Sequence, residues 1–231
     1  MNRLAGKTAI VTGASKGLGR AIARKFAQGG ARVIAAARNL DALKALAAED
    51  PEHIIPVECD VTQSRQVRAM VERAVNETGR LDILVNNAGV GRFAPVEELS
   101  EEDFDLMMNV NLKGAFLASK YAIPHLKRTK GHIVNISSVA GTEAFATGGG
   151  YCASKFGLMA LTDALTLELK PHHVKVTAIC PGSIKTEFHR PKDYAMEAEQ
   201  VAEAVWITVS APQNVIYNRI IMRPQVPHKP S

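Results

Sequence analysis

The 231-residue chain has little cysteine: Cys59, Cys152 and Cys180 stand far apart, with no CxxC pair among them. That pattern argues against a disulfide framework and a zinc site, and for a reducing compartment. No metal site is expected. No uninterrupted apolar run approaches the roughly 18 residues of a membrane span, and the opening MNRLAGKTAIVTGAS has no signal-peptide core. The expected location is cytoplasmic, with no membrane partner. Long basic tracts are missing too. Lys127-Arg128-Thr129-Lys130 is a short cluster, and no basic stretch is rich in aromatics, so nucleic-acid binding is not expected. There is no low-complexity tract, no solenoid-length repeat and no Pro-, Gly- or Ser-rich linker. One domain over 1–231 follows.

What is present is the composition of a soluble globular protein, 46% hydrophobic and 22% charged. The net charge of +5 suits an anionic small ligand. Short β-branched runs alternate with longer amphipathic stretches. Strands are predicted at 7–12, 32–37, 53–60, 82–87, 132–137, 174–180 and 219–224. Helices are predicted at 19–28, 39–49, from a Thr62 cap to Gly79, from Ser100 to about Arg128, and at 150–170 and 197–210. Repeated βα units with near-continuous apolar strands imply an α/β fold: a doubly wound parallel sheet with helices on both faces, Rossmann-type. Residues 183–197, which contain Pro191, read as a loop able to act as a lid, and 225–231 as a flexible tail.

The first predicted strand runs into TGASKGLGRAIA, with glycines at 13, 17 and 19. Gly13 permits a tight exit from the strand. Gly17 and Gly19 allow a pyrophosphate and the next helix to come close, and free N–H groups at the helix start favour an anion. The second strand ends Ala35-Ala36-Ala37-Arg38, where a 2′-hydroxyl-binding site would have an acid. Arg38, with Lys16 in the turn, suits a 2′-phosphate instead, so NADP(H) is expected over NAD(H). Further on, Tyr151 and Lys155 are one helical turn apart, after three glycines. A neighbouring cation favours the phenolate, which would bring a phenol of reference pKa about 10 closer to acid–base work near neutrality.

With TGASKGLG come NNAG at 86–89, NISS at 135–138, YCASK at 151–155 and PG at 181–182. In this order the set resembles the short-chain dehydrogenase/reductase family over residues 5 to about 187. The resemblance implies a catalytic set of Asn111, Ser138, Tyr151 and Lys155. Ser138 is selected over Ser137 because it lies thirteen residues before the tyrosine. In that reading Tyr151 exchanges a proton with the substrate oxygen, and Lys155 lowers its pKa and holds the nicotinamide ribose. Ser138 hydrogen-bonds the oxyanion, and Asn111 holds a relay water. The resemblance also implies cofactor contacts from Gly13, Ser15, Lys16, Gly17, Leu18 and Gly19 in the turn, and from Arg38, Asp60 and Val61. Asn87, Ala88 and Gly89 are expected at the adenosine ribose. Pro181, Gly182, Ile184 and Thr186 are expected at the nicotinamide, joined by Tyr151 and Lys155.

The implied activity is interconversion of a small-molecule carbonyl and a secondary alcohol. Reduction of 3-oxoacyl groups on acyl carrier protein is the alternative, with Lys127, Arg128 and Lys130 to meet an acidic carrier. Against that alternative, NVIYNRIIMRPQ lacks the glycine-rich approach to the last strand typical of those reductases. A nucleotide sensor without chemistry would be expected to lose the Tyr or the Lys. Val90, Phe93, Glu143, Ala144, Phe145 and Phe188 are candidates for the substrate wall, with Glu143 also open to a solvated role. A homotetramer or homodimer is expected through the helices at 101–128 and 150–170. Ala115, Ala118, Ala122, Ala153, Ala160 and Ala164 are small contacts there, or alternatively face the sheet.

Overall fold

The computed structural model describes residues 3–186 and 193–226. Phe188, Pro191 and part of the expected lid, with most of the expected tail, lie outside the described residues. Seven strands form one sheet: β1 Thr8–Thr12, β2 Arg32–Ala37, β3 Ile54–Glu58, β4 Ile83–Asn86, β5 His132–Ile136, β6 Lys175–Pro181 and β7 Arg219–Met222. Their order is β3-β2-β1-β4-β5-β6-β7, and every pairing is parallel. The order reverses direction between β1 and β4, so a crevice opens beyond their carboxyl ends.

Both faces of the sheet are covered. On one side Ile22 and Phe26 of α1 (Gly17–Gln28) and Val205 of α7 (Ala198–Val209) pack over Val11 and Val33. On the other side lie Met70 of α3 (Ser64–Thr78), Ala118 of α5 (Gly114–Thr129) and Leu165 of α6 (Gly149–Leu169). They meet Ile10, Leu84 and Ile133. This double burial is why β1 reads as an unbroken run, with all five residues buried. Asn39 caps α2 (Leu40–Ala47) by accepting from Ala42 N at 3.0 Å.

Two expectations change and one open alternative is decided. The residue at the start of α3 is Gln63, not Thr62, and its side chain makes no capping bond; Thr62 instead donates to Asp60 Oδ1 at 2.8 Å. The predicted long helix is divided. Ser100 caps α4 (Glu101–Met107) as expected, and then a π turn, Met108–Lys113, precedes α5. Ala115, Ala118 and Ala122 are buried, with Ala118 and Ala122 packed in the core beside α3, whereas Ala153, Ala160 and Ala164 are exposed. Only the second trio can serve as outward contacts.

The described ends of the expected lid are tied together. Ile184 bridges Met196, Lys185 N donates to Met196 O at 2.8 Å, and Met196 N donates to Ser183 O at 3.0 Å. A Lys185–Glu197 ion pair at 2.6 Å reinforces the closure.

Candidate active site

A cavity of about 1140 Å³ lies along the carboxyl edge of the sheet. It exceeds the roughly 300–1,000 Å³ of ordinary small-ligand pockets, which leaves room for a dinucleotide and a substrate together. Every expected cofactor residue lines it, as do Ser138, Tyr151 and Lys155. Asn111 alone of the expected set does not.

The glycine turn forms one end. Gly13 has φ +68°, and a Cβ there would lie 2.9 Å from the Ala88 Cα. At Gly19 a Cβ would lie 2.3 Å from the Gly13 carbonyl oxygen, so the turn closes on the helix only without one. NNAG binds this turn to β4. Asn87 Nδ2 donates to Thr12 O at 2.8 Å, and the Asn87 and Ala88 amides donate to Thr12 Oγ1 at 3.0 and 3.1 Å. Lys16 and Arg38 line the same end, and no acid stands beside Arg38 at the close of β2. Asp60 Oδ1 accepts from Thr62 N and Oγ1 in a tight turn after β3. A narrow, glycine-walled turn at a helix start, flanked by two cations, fits an anionic dinucleotide.

The other end brings together Ser138, Tyr151 and Lys155. Ser138 leaves β5 with an extended backbone, and its Oγ accepts from Ala140 N at 3.1 Å. Ser137 turns the other way and donates to Lys155 O at 3.4 Å. The alternation of a strand end thus separates the two serines. Lys155 is buried, and its Nζ donates to Ile136 O at 3.0 Å, 5.7 Å from the centre of the Tyr151 ring. Burial lowers the Lys155 pKa to about 8.

The tyrosine departs from expectation. Its pKa is not lowered but pushed up to about 12, because burial of the phenol outweighs the hydrogen bond with Ser138 that acts the other way. The protein's own groups therefore keep Tyr151 protonated, as a proton donor requires.

Asn111 sits buried in the π turn, and its side chain makes three hydrogen bonds. Oδ1 accepts from Val90 N at 2.8 Å, while Nδ2 donates to Val90 O and to Ser154 Oγ, both at 2.9 Å. Ser154 in turn donates to Tyr151 O at 2.7 Å. The side chain is a clamp between the cavity wall and, through Ser154, the Tyr151 backbone.

Of the expected substrate wall, Val90, Phe93 and Phe145 line the cavity. Glu143 and Ala144 do not, and Glu143 is solvent-exposed, as its solvated reading has it, in a surface ion pair with Arg223 at 2.9 Å. Sequence reasoning missed Leu106, Val110, Val139 and Ala140 in the wall, and Asn39 next to Arg38. Asn39 alone left a signal, a capping residue directly after the arginine.

Residues 7–197 match the model of the short chain dehydrogenase family, and the chain belongs to that family. It is 41% identical over 188 residues to a 3-oxoacyl-[acyl-carrier-protein] reductase of Thermotoga maritima, a match covering 80% of this chain and 76% of the relative. Among solved structures it resembles an alcohol dehydrogenase from the archaeon Thermococcus sibiricus complexed with 5-hydroxy-NADP. The TM-score is 0.90 at 32% identity, covering 96% of this chain and 99% of that one. A metagenomic short-chain oxidoreductase in complex with NADP gives a TM-score of 0.87 at 35% identity, covering 97% and 100%.

Proposed function

We propose that this chain reduces a small carbonyl compound to a secondary alcohol with NADPH, and runs the reverse reaction with NADP. One observation carries the reading: a phenol kept protonated, hydrogen-bonded to Ser138 and close to a buried ammonium, at one end of a dinucleotide-sized cavity. The choice of NADP(H) rests on Arg38 and Lys16 in the lining. It is supported by two similar structures whose names include NADP or 5-hydroxy-NADP.

In this reading Gly13, Ser15, Gly17, Leu18 and Gly19 hold the pyrophosphate, and Asp60 and Val61 hold the adenine. Asn87, Ala88 and Gly89 flank its ribose, and Pro181, Gly182, Ile184 and Thr186 frame the nicotinamide. When bound, the coenzyme supplies the hydride. Ser138 donates to the substrate oxygen as negative charge builds there. Tyr151 gives that oxygen its proton, and the Lys155 ammonium stabilises the phenolate left behind. Asn111 is a positioning residue, holding Val90 in the wall and, through Ser154, the Tyr151 backbone.

A carrier-protein reductase is a second reading, favoured by the 41% identity to the Thermotoga maritima enzyme and by the exposed Lys127, Arg128 and Lys130. In both readings the enzyme is a homotetramer or homodimer, with exposed Phe116 on α5 and Phe156 and Ala160 on α6 at the contact. The deciding experiment mixes purified protein with NADPH or NADH and a panel of ketones plus a 3-oxoacyl carrier substrate, following nicotinamide absorbance. NADPH-dependent turnover of free ketones supports the main reading, and turnover confined to the carrier substrate supports the second. Coenzyme binding with no turnover of any carbonyl overturns both.

A further inference from the structure

The substrate end of the cavity has an unusual wall. Two loops are fastened together there, since Ala94 N donates to Thr147 O at 3.0 Å. Thr147 makes this bond from φ +67°, a left-handed conformation that is costly for a β-branched residue. At the neighbouring Gly148 any Cβ would lie 2.6 Å from the Phe145 ring, so that ring is seated directly on the backbone. The fastening brings Phe93 and Phe145 together, with ring centres 5.9 Å apart and planes at 42°. Phe93 also meets Tyr151 edge to face, at 5.5 Å and 68°. These rings line the cavity yet stay 43% and 48% exposed, an apolar surface left facing water next to the reacting phenol.

Apart from Lys155, the charges of the lining lie away from these rings. Among the described residues the charged lining groups are Lys16, Arg38, Asp60 and Lys155. Lys16 starts α1, and Arg38 and Asp60 follow β2 and β3, whereas Lys155 stands 5.7 Å from the Tyr151 ring centre and donates to Ile136 O. Arg223, outside the lining, is ion-paired with Glu143. The apolar lining of the cavity includes Val90, Leu106, Val110, Val139 and Ile184 beside the two phenylalanines, of which Phe93 meets Tyr151. A carboxylate set against the two phenylalanines would be drawn off its hydration with only the buried Lys155 as a cation among these lining residues, while a flat apolar group gains both burial and ring contact.

We propose that Phe93 and Phe145 form an aromatic seat that selects uncharged carbonyl compounds carrying an aryl group next to the carbonyl. This rests on the reductase reading above and names its substrate class. The test compares an aryl methyl ketone, an alkyl methyl ketone of similar size and a 3-oxo carboxylate, with NADPH, in the full-length protein. Phe145→Ala and Phe145→Tyr are measured alongside, because Phe145 is not paired with Tyr151.

The aryl ketone is expected to exceed both others in kcat/KM by about tenfold or more, the size of one good ring contact. Phe145→Ala should shrink the aryl-to-alkyl ratio by a similar factor, and Phe145→Tyr, which keeps the ring, should restore it. Preference for the carboxylate, or a ratio that Phe145→Ala does not move, overturns the aromatic seat and leaves the reductase standing. Coenzyme binding without turnover of any ketone or oxo acid removes the reductase reading and this inference with it.

Discussion

Lys155→Met removes an ammonium that is 4% exposed and whose acceptor is the Ile136 carbonyl at 3.0 Å. Burial holds its pKa at about 8, against 10.5 for an ordinary lysine. The folded protein therefore releases this proton before the unfolded chain does. Between those two values the unfolded chain binds more protons, so unfolding free energy rises with pH. Below pH 8 both states are protonated, and the folded protein bears the full cost of the buried charge. By linkage, the shift adds about 2 kcal/mol to wild-type stability between about pH 7 and about pH 9.5.

The Lys155→Met variant lacks that gain. It also leaves the Ile136 carbonyl without its donor, a roughly pH-independent loss, so the quantity to read is how the difference between the two proteins changes with pH. The window stops before pH 10 because Tyr151, held at about 12, withdraws stability once the unfolded phenol ionises. Urea unfolding of both proteins across this range is the assay. Wild type should gain on the variant as pH rises. A difference constant to within about 0.5 kcal/mol, near the precision of such extrapolations, would refute the picture of Lys155 as a desolvated cation.

Two other substitutions follow from the same geometry. Arg38→Asp should raise the Kd for NADPH by about 10- to 100-fold, the value of one or two charge-assisted bonds, and improve NADH binding. Titration of nicotinamide fluorescence reads both, and an unaltered NADPH affinity would remove Arg38 from phosphate recognition. Asn111→Ala orphans the Val90 N–H and C=O, costing about 3 kcal/mol and lowering Tm by roughly 6–12 °C. A thermal melt with a fall under about 2 °C would show that the clamp contributes little to stability.

The sheet was legible because buried parallel strands leave continuous apolar runs, as in KTAIVT and HIVNIS, bounded by turn residues. The glycine turn was legible for a related reason: Gly13 and Gly19 stand where a Cβ would strike backbone or Asn87. The π turn was not, since periodicity over 101–128 reports helix but not which carbonyl each amide reaches. It sets Asn111 among Val90 and Ser154, contacts 21 and 43 residues away. No local pattern encodes them.

The Tyr151 shift also went unread. Two residues one turn apart suggest a lowered pKa, but burial is a property of the whole fold and dominates. The same holds for the Phe93–Phe145 pair, 52 residues apart in sequence and joined through the left-handed Thr147. The inward orientation of Ala118 and Ala122 was decided by packing in the core beside α3.

The most direct measurement is made on Tyr151→Phe, which keeps the ring against Phe93 and deletes only the hydroxyl. Turnover of a ketone with NADPH should fall by about 10²- to 10⁴-fold, the usual worth of a positioned proton donor, while the Kd for NADPH changes by less than about threefold. Turnover within about tenfold of wild type, with the coenzyme still bound, would contradict Tyr151 as the proton donor.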